Sequence, residues 1–498
     1  MPSGSHGILG DAFVKLLSNA GHEVTYITAM SKITSYPNVT IVDVSSNINL
    51  FPENFLNIKN IMDKDSDMNE NDFFFPIMDS VSLATIKHEQ VQKILMNESQ
   101  HFDVVVAEWM YNELYAGFST VFNCPLIWFS TLEPHWLILR IIDEASNPAY
   151  NPDSMSTNII PYTFFERLEE LWLQMSRSFY RELWKYNEVT KIFNEMYAPV
   201  LSRKGHAVPS YEDVRYNGSL VLGNSYVALG QATRLPQSYK PIGGFHIDKN
   251  IQTLPKRSLG LLQNVEAIMD HAKHGVIYFS MGSNLQSSQW PNEIKEGLLR
   301  MLGQLKQTVL WKFEEALAKV PSNVHLLKWA PQQSILAHPN CVLFITHSGL
   351  LSTTEAVHFG VPIIGIPVFA DQFVNILRAV NIGFAKKVDL SYDIVDELKT
   401  AIVDILNDPR YHDKAKELSM VYHDRPVTPQ KEIVHWVEHV IRTNGAVHLR
   451  SPALFVPWYQ KTYLDLIVII VFIIIMSMIF IKCGLQACKH VHNKEKTS

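Results

Sequence analysis

Cysteine is scarce in this sequence, and the few cysteines form no recognisable motif. Four occur in 498 residues, and no two of them make a CxxC pair. A disulfide framework or a zinc site of the usual spacing is therefore not indicated. Long basic runs are also missing and the net charge is −6, so a nucleic-acid partner finds no support. The four positions are Cys124, Cys341, Cys483 and Cys488.

The GxGxxG fingerprint of dinucleotide-dependent oxidoreductases does not occur either, which argues against that enzyme class. What is present describes a folded protein, since 47% of the residues are hydrophobic and only 18% are charged. A chain of this length is too long for one ordinary core, so we expect two domains with appendages.

A signal peptide is missing from the amino-terminal end. The sequence opens with MPSGSHGILGDAFVKLL, in which Leu9, Phe13 and Leu17 recur at helical spacing, and a strand candidate follows at 23–28. In an α/β domain, a helix that leads into a strand in this way normally follows a strand of its own. We therefore expect that a first strand and a leader peptide have been lost from this sequence.

The carboxyl-terminal end carries the longest apolar run. Residues 466–481 contain no charge, and with the residues just before them they predict a transmembrane helix at 462–481, close to the roughly 20 residues that cross a bilayer. Aromatic residues precede the run and lysines follow it, which places the tail 482–498 in the cytosol and the body on the lumenal side. The aromatic residues are Trp458, Tyr459 and Tyr463, and the lysines are Lys482, Lys489, Lys494 and Lys496.

Two weaker patterns favour a glycoprotein of the endoplasmic reticulum. Three N-glycosylation sequons begin at Asn38, Asn97 and Asn217. The last five residues, 494–498, resemble a dilysine retrieval signal, although a solvated basic tail would read the same way. Together with the apolar run they predict a single-pass protein that contacts membrane lipid.

Alternating strand and helix patterns predict an α/β fold with two Rossmann-like domains. We place the first domain at 1–230, a Pro- and Gly-rich linker at 231–260 and the second domain at 261–425. Residues 426–461 then contain one more amphipathic helix before the membrane. Two parallel sheets facing one another would form a cleft at the carboxyl ends of their strands. The strand candidates are 23–28, 38–44, 103–108, 125–130 and 219–224 in the first domain and 275–281, 308–313, 324–329, 341–346 and 361–368 in the second.

One aromatic-rich segment, 160–205, has an ambiguous pattern. Apolar residues recur along it at helical spacing, so it predicts an amphipathic helix. Such a face is usually part of the core, but it could also line a lipophilic pocket, and the sequence leaves both interpretations open. The face comprises Phe164, Leu168, Leu171, Trp172, Met175 and Phe179.

The segment 344–372, FITHSGLLSTTEAVHFGVPIIGIPVFADQ, carries the most chemistry. His347 lies at the carboxyl end of a predicted strand, and a helix begins directly after it. Gly349 permits an anion to approach the free backbone N–H groups at the start of that helix closely. The hydroxyl of Ser352 adds one more donor to this anion site. Glu355 lies two helical turns further on, where it can accept from the two hydroxyls of a ribose. After the next strand, the carboxylate and amide of 371–372 suit the vicinal hydroxyls of a sugar.

This segment resembles the signature of the UDP-glycosyltransferases, which include the animal UDP-glucuronosyltransferases. The resemblance extends to the sequences WAPQ at 329–332 and GS at 282–283, and to the membrane tail, so it covers nearly the whole chain. It implies a GT-B fold, and it implies that Trp329 stacks on uracil. One departure is Leu351, where many relatives carry an asparagine near the phosphates. The residues that it implies for UDP-sugar binding are Ser283 and His347 for the diphosphate, Glu355 for the ribose, Asp371 and Gln372 for the sugar, and Trp329, Ala330, Gln332, Gly349 and Ser352 around the nucleoside and phosphates.

The same resemblance points to a catalytic pair. It assigns the general base to His6, fifteen residues before Gly21, and a histidine has a pKa suited to that role. The family generally orients its base with an aspartate after an apolar strand, and the matching position here is Glu108, one methylene longer. Asp103 begins that strand and is the poorer match, while His22 precedes a strand at a turn.

The resemblance implies a direct displacement with inversion at the anomeric carbon, without a metal or any cofactor beyond the UDP-sugar co-substrate. The donor would be UDP-glucose or UDP-glucuronate and the acceptor a lipophilic molecule with a hydroxyl, and a homodimer is compatible with a membrane enzyme. The alternative is a membrane-anchored protein that binds UDP or a lipophile but is catalytically impaired by the missing amino-terminal strand.

Overall fold

The computed structural model describes most of the chain. It covers residues 3–30, 34–51, 57–63, 75–153, 156–229, 232–248, 259–283 and 285–495. Parts of four predicted segments lie outside the described residues: positions 1–2, 31–33, 52–56, 64–74, 154–155 and 230 of the first domain, 231 and 249–258 of the linker, 284 of the second domain and 496–498 of the tail.

The amino-terminal half is built on parallel strands divided between two sheets. One sheet pairs β1 with β2, and the other has the order β3-β4-β5-β6. Helices cover the second sheet on both faces, so β4 and β5 are buried along their whole length, which explains their continuous apolar runs. The strands are β1 Val24–Thr28, β2 Val39–Asp43, β3 Val105–Glu108, β4 Leu126–Ser130, β5 Gly218–Gly223 and β6 Tyr239–Pro241. The helices are α1 Gly4–Asn19, α2 Ile58–Met62, α3 Phe75–Lys87, α4 Glu89–Met96, α5 Ala116–Phe122, α6 Trp136–Leu139, α7 Phe164–Phe179, α8 Tyr186–Arg203 and α9 Tyr211–Arg215, with a π-helical turn, Tyr180–Lys185, between α7 and α8.

The second domain contains one six-stranded parallel sheet. Its order is β12-β11-β10-β7-β8-β9, so the strand order reverses between β10 and β7. Ligands of open α/β sheets bind at such a reversal, beyond the carboxyl ends of the two strands. The strands are β7 Val276–Ser280, β8 Thr308–Lys312, β9 Val324–Leu327, β10 Cys341–Thr346, β11 Ile363–Gly365 and β12 Ala385–Lys387. The helices are α10 Leu259–Asp270, α11 Asn292–Leu302, α12 Gln332–Ala337, α13 Leu350–Phe359, α14 Gln372–Ile382, α15 Ile394–Asn407 and α16 Pro409–His423.

After the second domain the chain returns to the first one. Helix α17, Pro429–Arg442, buries Ile433, Val437 and Val440 in a core that it shares with Leu9 and Phe13 of α1. Burying apolar side chains from both ends of the chain in one core ties the first domain to the carboxyl-terminal segment.

A short helix, α18 (Trp458–Lys461), precedes the last helix, α19 (Leu464–Glu495). Within the described part of the chain, α19 contains the one stretch that is long and apolar enough to cross a membrane, Leu464–Gln486, with a mean hydropathy of 3.2. The helix does not end at 481 but continues through the basic segment that was predicted as a separate tail.

The predicted linker differs from the structure in its first half. Residues 239–241 form the edge strand β6, and Ile242 and Phe245 are buried in the core shared with α17. Prolines are tolerated at sheet edges, so the Pro- and Gly-rich pattern here marks an edge strand and its turns instead of a free connection.

The amphipathic segment is helical as predicted, but its apolar face is not part of the core. Nine large apolar side chains of α7 and the π turn, which we call the apolar stripe, are exposed, so the interpretation of this face as core is wrong. The residues that α7 does bury are Glu170 and Arg177. The stripe consists of Phe164, Phe165, Leu168, Leu171, Trp172, Met175, Phe179, Leu183 and Trp184.

Candidate active site

His6 and Glu108 form a hydrogen-bonded pair. His6 lies in the first turn of α1, Glu108 is the last residue of β3, and Nδ1 of the imidazole bonds to Oε1 of the carboxylate. Burial raises the pKa of the Glu108 carboxyl, but positive charge around it and the His6 hydrogen bond outweigh burial and hold that pKa at about 2. An ionised carboxylate keeps a proton on Nδ1, which leaves the lone pair of Nε2 to act as a base.

The amino-terminal turn of α1 also touches the second domain. A Cβ at Gly4 would lie only 2.6 Å from Oγ of Ser283, in the loop after β7, so the close approach needs a glycine. On the same side, His6 is one of the groups that influence the pKa of Asp371. Burial raises the pKa of the Asp371 carboxyl, while Asn375 and His6 oppose the rise. The pair on the first domain therefore faces the sugar-binding candidates on the second.

His347 lies at the strand-order reversal, directly after β10, in a slot made by two glycines. A Cβ at Gly282 would come within 2.5 Å of the imidazole, and one at Gly349 within 2.6 Å. Burial, with the nearby Lys312, lowers the pKa of His347 to about 4, so the ring is neutral at pH 7. Its Nδ1 is buried and has no hydrogen-bond partner among the described residues. A buried nitrogen without a partner is suited to a ligand atom.

The start of α13 offers backbone donors beside that ring. Gly349 is its N-cap residue and supplies no side-chain cap, so the first N–H groups of this ten-residue helix stay available. Those groups and the helix dipole favour an anion. Ser348, at φ +64°, turns the chain into the helix, and Asn375 donates to its carbonyl oxygen at 3.2 Å. These donors lie where the sequence predicts an anion site, which stays a prediction.

Lys312 adds a cation that sequence analysis missed. It ends β8, and its Nζ donates to the carbonyl oxygen of Gly282 at 2.9 Å and to Oε1 of Glu314 at 3.2 Å. A lysine at the end of an otherwise apolar strand, TVLWK, is a signal that could have indicated it. The charge lies next to the loop that holds His347 and favours a phosphate there.

The nucleoside candidates lie after β9. The Trp329 side chain is 56% exposed, so this tryptophan is not a core residue, and its ring is free to take a stacking partner. Ala330 is buried, and Gln332 begins α12. From there Gln332 donates through Nε2 to Oγ of Ser352 at 3.1 Å and to Oε2 of Glu355 at 2.6 Å.

Glu355 is buried and is the centre of a polar network. Besides Gln332, it accepts from Nε2 of Gln333 at 2.9 Å, and Nε2 of His246 lies 3.2 Å from its Oε1. Burial raises the pKa of the Glu355 carboxyl, but His246 and Gln332 outweigh burial and lower it. Sequence analysis missed His246, which comes from the segment assigned to the linker, and Gln333. No sequence signal would have found His246, since only folding brings it to α13.

Asp371 and Gln372 begin α14 after a residue of positive φ, Ala370. Oδ2 of Asp371 accepts from Asn375 at 2.8 Å. Gln372 is buried, and its Oε1 accepts from the backbone N–H groups of Val368 at 2.8 Å and Phe369 at 3.2 Å. The amide oxygen thus holds the preceding loop in place.

The departure at Leu351 has a packing explanation. Its side chain packs against the core that contains Leu9 of α1 and Val437 of α17. An apolar residue here supports the contact between α13 and the first domain, where an asparagine would bring an amide to an apolar surface.

Comparisons with known proteins identify the family and the fold. Residues 3–498 match the profile of the UDP-glucuronosyl and UDP-glucosyl transferase family. UDP-glucosyltransferase 2 of Dactylopius coccus is 32% identical over 468 residues, which cover 93% of this chain and 87% of that protein. UDP-glucuronosyltransferase 2B13 of Oryctolagus cuniculus is 34% identical over 355 residues, which cover 69% of this chain and 62% of that protein.

Among solved structures, the glycotransferase of kitacinnamycin superposes with a TM-score of 0.54 at 17% identity, covering 86% of this chain and 94% of the other. CalG4, the calicheamicin glycosyltransferase, gives a TM-score of 0.53 at 13% identity, covering 87% of this chain and 94% of the other. These likenesses confirm the predicted fold class, two facing α/β domains of the GT-B type. With its family profile matched over nearly all its length, the chain belongs to the UDP-glycosyltransferase family and is an enzyme that transfers a glycosyl group from a UDP-sugar.

Proposed function

We propose that this enzyme transfers a hexose from UDP-glucose or UDP-glucuronate to the hydroxyl of a lipophilic small molecule, in one displacement with inversion. The observation that carries the proposal is the His6–Glu108 pair, which faces Asp371 across the cleft between the domains. Direct transfer to a hydroxyl requires a general base that can reach the proton of that hydroxyl.

In the proposed reaction, Nε2 of His6 takes the proton of the acceptor hydroxyl as the hydroxyl oxygen attacks the anomeric carbon. The bond from that carbon to the diphosphate oxygen breaks on the opposite face, which inverts the configuration. Glu108 stabilises the imidazolium that forms. The departing UDP carries negative charge, and the first N–H groups of α13, the neutral His347 and Lys312 are placed to stabilise it.

The donor would lie across the carboxyl edge of the second sheet. We assign uracil to the exposed face of Trp329, the diphosphate to Ser283 and His347, and the hexose to Asp371 and Gln372. The ribose would bind at Glu355 with Gln332 and Ser352 beside it. Supporting these assignments, hydrogen bonds from Gln332 join Ser352 to Glu355, and the Trp329 ring is exposed.

We propose that transfer is independent of divalent metal. The reason is electrostatic, because the fixed charge of Lys312 and the dipole of α13 already supply the positive potential that a metal would bring to a diphosphate.

We also propose a location, with α19 as the single membrane span, the body in the lumen of the endoplasmic reticulum and the basic end in the cytosol. The apolar stretch of α19 supports the span. The candidate glycosylation residues Asn38, Asn97 and Asn217 all lie on the surface of the body, where a glycan can be accommodated.

The function is tested by incubating microsomes that contain the full chain with UDP-glucose or UDP-glucuronate and a phenol. We expect a β-glycoside from an α-linked donor, formed at the same rate with and without EDTA. Product of retained configuration would contradict the single displacement, and a rate abolished by EDTA would contradict metal independence. Calorimetric binding of UDP without product from any donor would instead favour the non-catalytic alternative.

Replacing Trp329 with alanine is expected to weaken UDP binding about tenfold, because one base–aromatic stack is worth about 1–3 kcal/mol. The ring is mostly exposed, so the melting temperature should stay within about 1–2 °C of the parent. Titration calorimetry with UDP and a thermal scan measure the two quantities. Trp329→Phe, which keeps a stacking ring, is the matched control and should retain most of the affinity, while equal loss in both variants would contradict stacking.

A further inference from the structure

Helix α7 is oriented the opposite way from a surface helix of a soluble domain. Such helices bury their apolar face and expose their charges. Here Glu170 and Arg177 are 2% and 9% exposed, whereas Trp172 on the opposite face is 67% exposed. The apolar stripe continues through the π turn to Trp184, so roughly 30 Å of helix presents large apolar side chains to the outside.

The charged inner face explains why the helix adopts this orientation. Glu170 accepts from the backbone N–H of Asp153 at 2.9 Å and from Nδ2 of Asn158 at 2.9 Å, and it also bonds to Oγ of Ser156. Arg177 pairs with Asp153 through Nη1 and Oδ1, 2.5 Å apart. Turning the stripe inward would break these buried charge pairs, which is costly.

Hydrogen bonds at its amino-terminal end also stabilise α7, although no apolar core lies beneath it among the described residues. Thr163 and Glu166 form a capping box, in which the Thr163 side chain accepts from the Glu166 backbone N–H at 3.3 Å and Glu166 accepts from that of Thr163 at 2.6 Å. The exposed stripe is therefore a stable feature of the folded body. Contiguous apolar surface of this kind marks a site that another apolar phase covers.

The stripe lies close to the route by which the chain reaches the membrane span. Ser451, thirteen residues before α19, donates through its hydroxyl to Asp143. Three residues along the same loop, the carbonyl oxygen of Ser146 accepts from Nε2 of Gln174 in α7 at 3.2 Å. The segment that leads to α19 and helix α7 therefore contact the same loop, at positions three residues apart. Between Ser451 and α19, the exposed apolar residues are Phe455, Val456, Trp458, Tyr459 and Tyr463.

We propose that the apolar stripe docks on the lipid bilayer that holds α19, so that α7 lies in the interfacial layer and forms a second membrane contact. Tryptophan and phenylalanine on one helix face are typical of helices that lie in that layer. The anchor keeps the stripe at high effective concentration next to the bilayer, so the contact needs little affinity of its own. The inference assumes the proposed membrane span but does not depend on the reaction.

The test uses the full chain with a protease site inserted between Thr462 and Tyr463, reconstituted in vesicles of phosphatidylcholine and phosphatidylserine. After cleavage, we expect the released body to float with the vesicles in a density gradient. In the double variant Leu168→Glu, Trp172→Glu the floating fraction should fall about tenfold. The matched control is Val403→Glu, Met420→Glu, which changes two exposed apolar residues of α15 and α16 and should float like the parent.

Each outcome decides the proposal. A parent body that leaves the vesicles on cleavage overturns it. The proposal is also overturned if the cleaved parent body leaves the vesicles as a dimer and the cleaved stripe variant is a monomer. The stripe would then join two copies of the chain. Resistance of the uncleaved protein to carbonate extraction tests the α19 span separately. Unchanged UDP affinity of the stripe variant shows that it is folded.

Discussion

Replacing His6 with alanine is expected to lower kcat about a thousandfold while UDP affinity stays within twofold of the parent. Without the imidazole, the acceptor hydroxyl has no base to receive its proton as it attacks the anomeric carbon. The UDP site is built from the second domain, so its donors and its aromatic ring are unaffected. Single-turnover kinetics with a saturating UDP-sugar give the rate, and calorimetry gives the affinity.

His22→Ala is the matched control for this prediction. His22 follows the end of the same helix, but its Nε2 lies 3.6 Å from Oε1 of Glu438 in α17, away from the cleft. The His22→Ala variant should retain the parental rate. Glu108→Gln tests the partner separately, and we expect a loss of about a hundredfold, because an amide no longer stabilises the imidazolium. A His6→Ala variant with full turnover would exclude His6 as the base, whatever the result at Glu108.

Replacing Glu355 with alanine is expected to weaken UDP binding about a hundredfold and to lower the free energy of unfolding by about 3 kcal/mol. The carboxylate is buried and ionised, it accepts hydrogen bonds from Gln332 and Gln333, and Nε2 of His246 lies 3.2 Å from its Oε1. Its removal leaves the two glutamine donors and the imidazole of His246 around an empty volume, and the proposed partner of the ribose hydroxyls is lost with it. Calorimetry with UDP and urea denaturation measure the two effects.

Glu417→Ala controls for the loss of a glutamate as such. Glu417 lies on α16 in an exposed ion pair with Lys414 at 2.9 Å, a kind of pair that contributes little, so both quantities should change by less than about 0.5 kcal/mol. If Glu355→Ala lowers stability but leaves UDP affinity intact, Glu355 is a structural residue and the ribose assignment is wrong.

Much of the architecture could be predicted from local pattern. Continuous apolar runs such as 275–281 and 341–346 correspond to β7 and β10, because strands buried on both faces of a parallel sheet carry no polar alternation. Polar residues directly after such strands lie at one edge of the sheet, which is why His347 could be placed. Edge strand β6 escaped prediction because its prolines and glycines resemble those of a linker.

The candidate site shows a different limit. Spacing along one segment predicted that His347, Gly349 and Glu355 lie near one another, since they share a strand end and a helix start. It could not supply Lys312 or His246, which reach the site from β8 and from the connection after β6. Contacts between residues far apart in sequence depend on strand order and domain packing, and no local pattern encodes them.

The apolar stripe separates the two kinds of information most clearly. Periodicity by itself determined that Leu168, Trp172 and Met175 share one face of a helix, because 3.6 residues per turn place them there. Which way that face points was decided only by the tertiary structure, where Glu170 and Arg177 find buried polar partners on the body. A helix buries the face whose side chains find the best replacement for their hydrogen bonds to water. Those replacement partners belong to other parts of the chain.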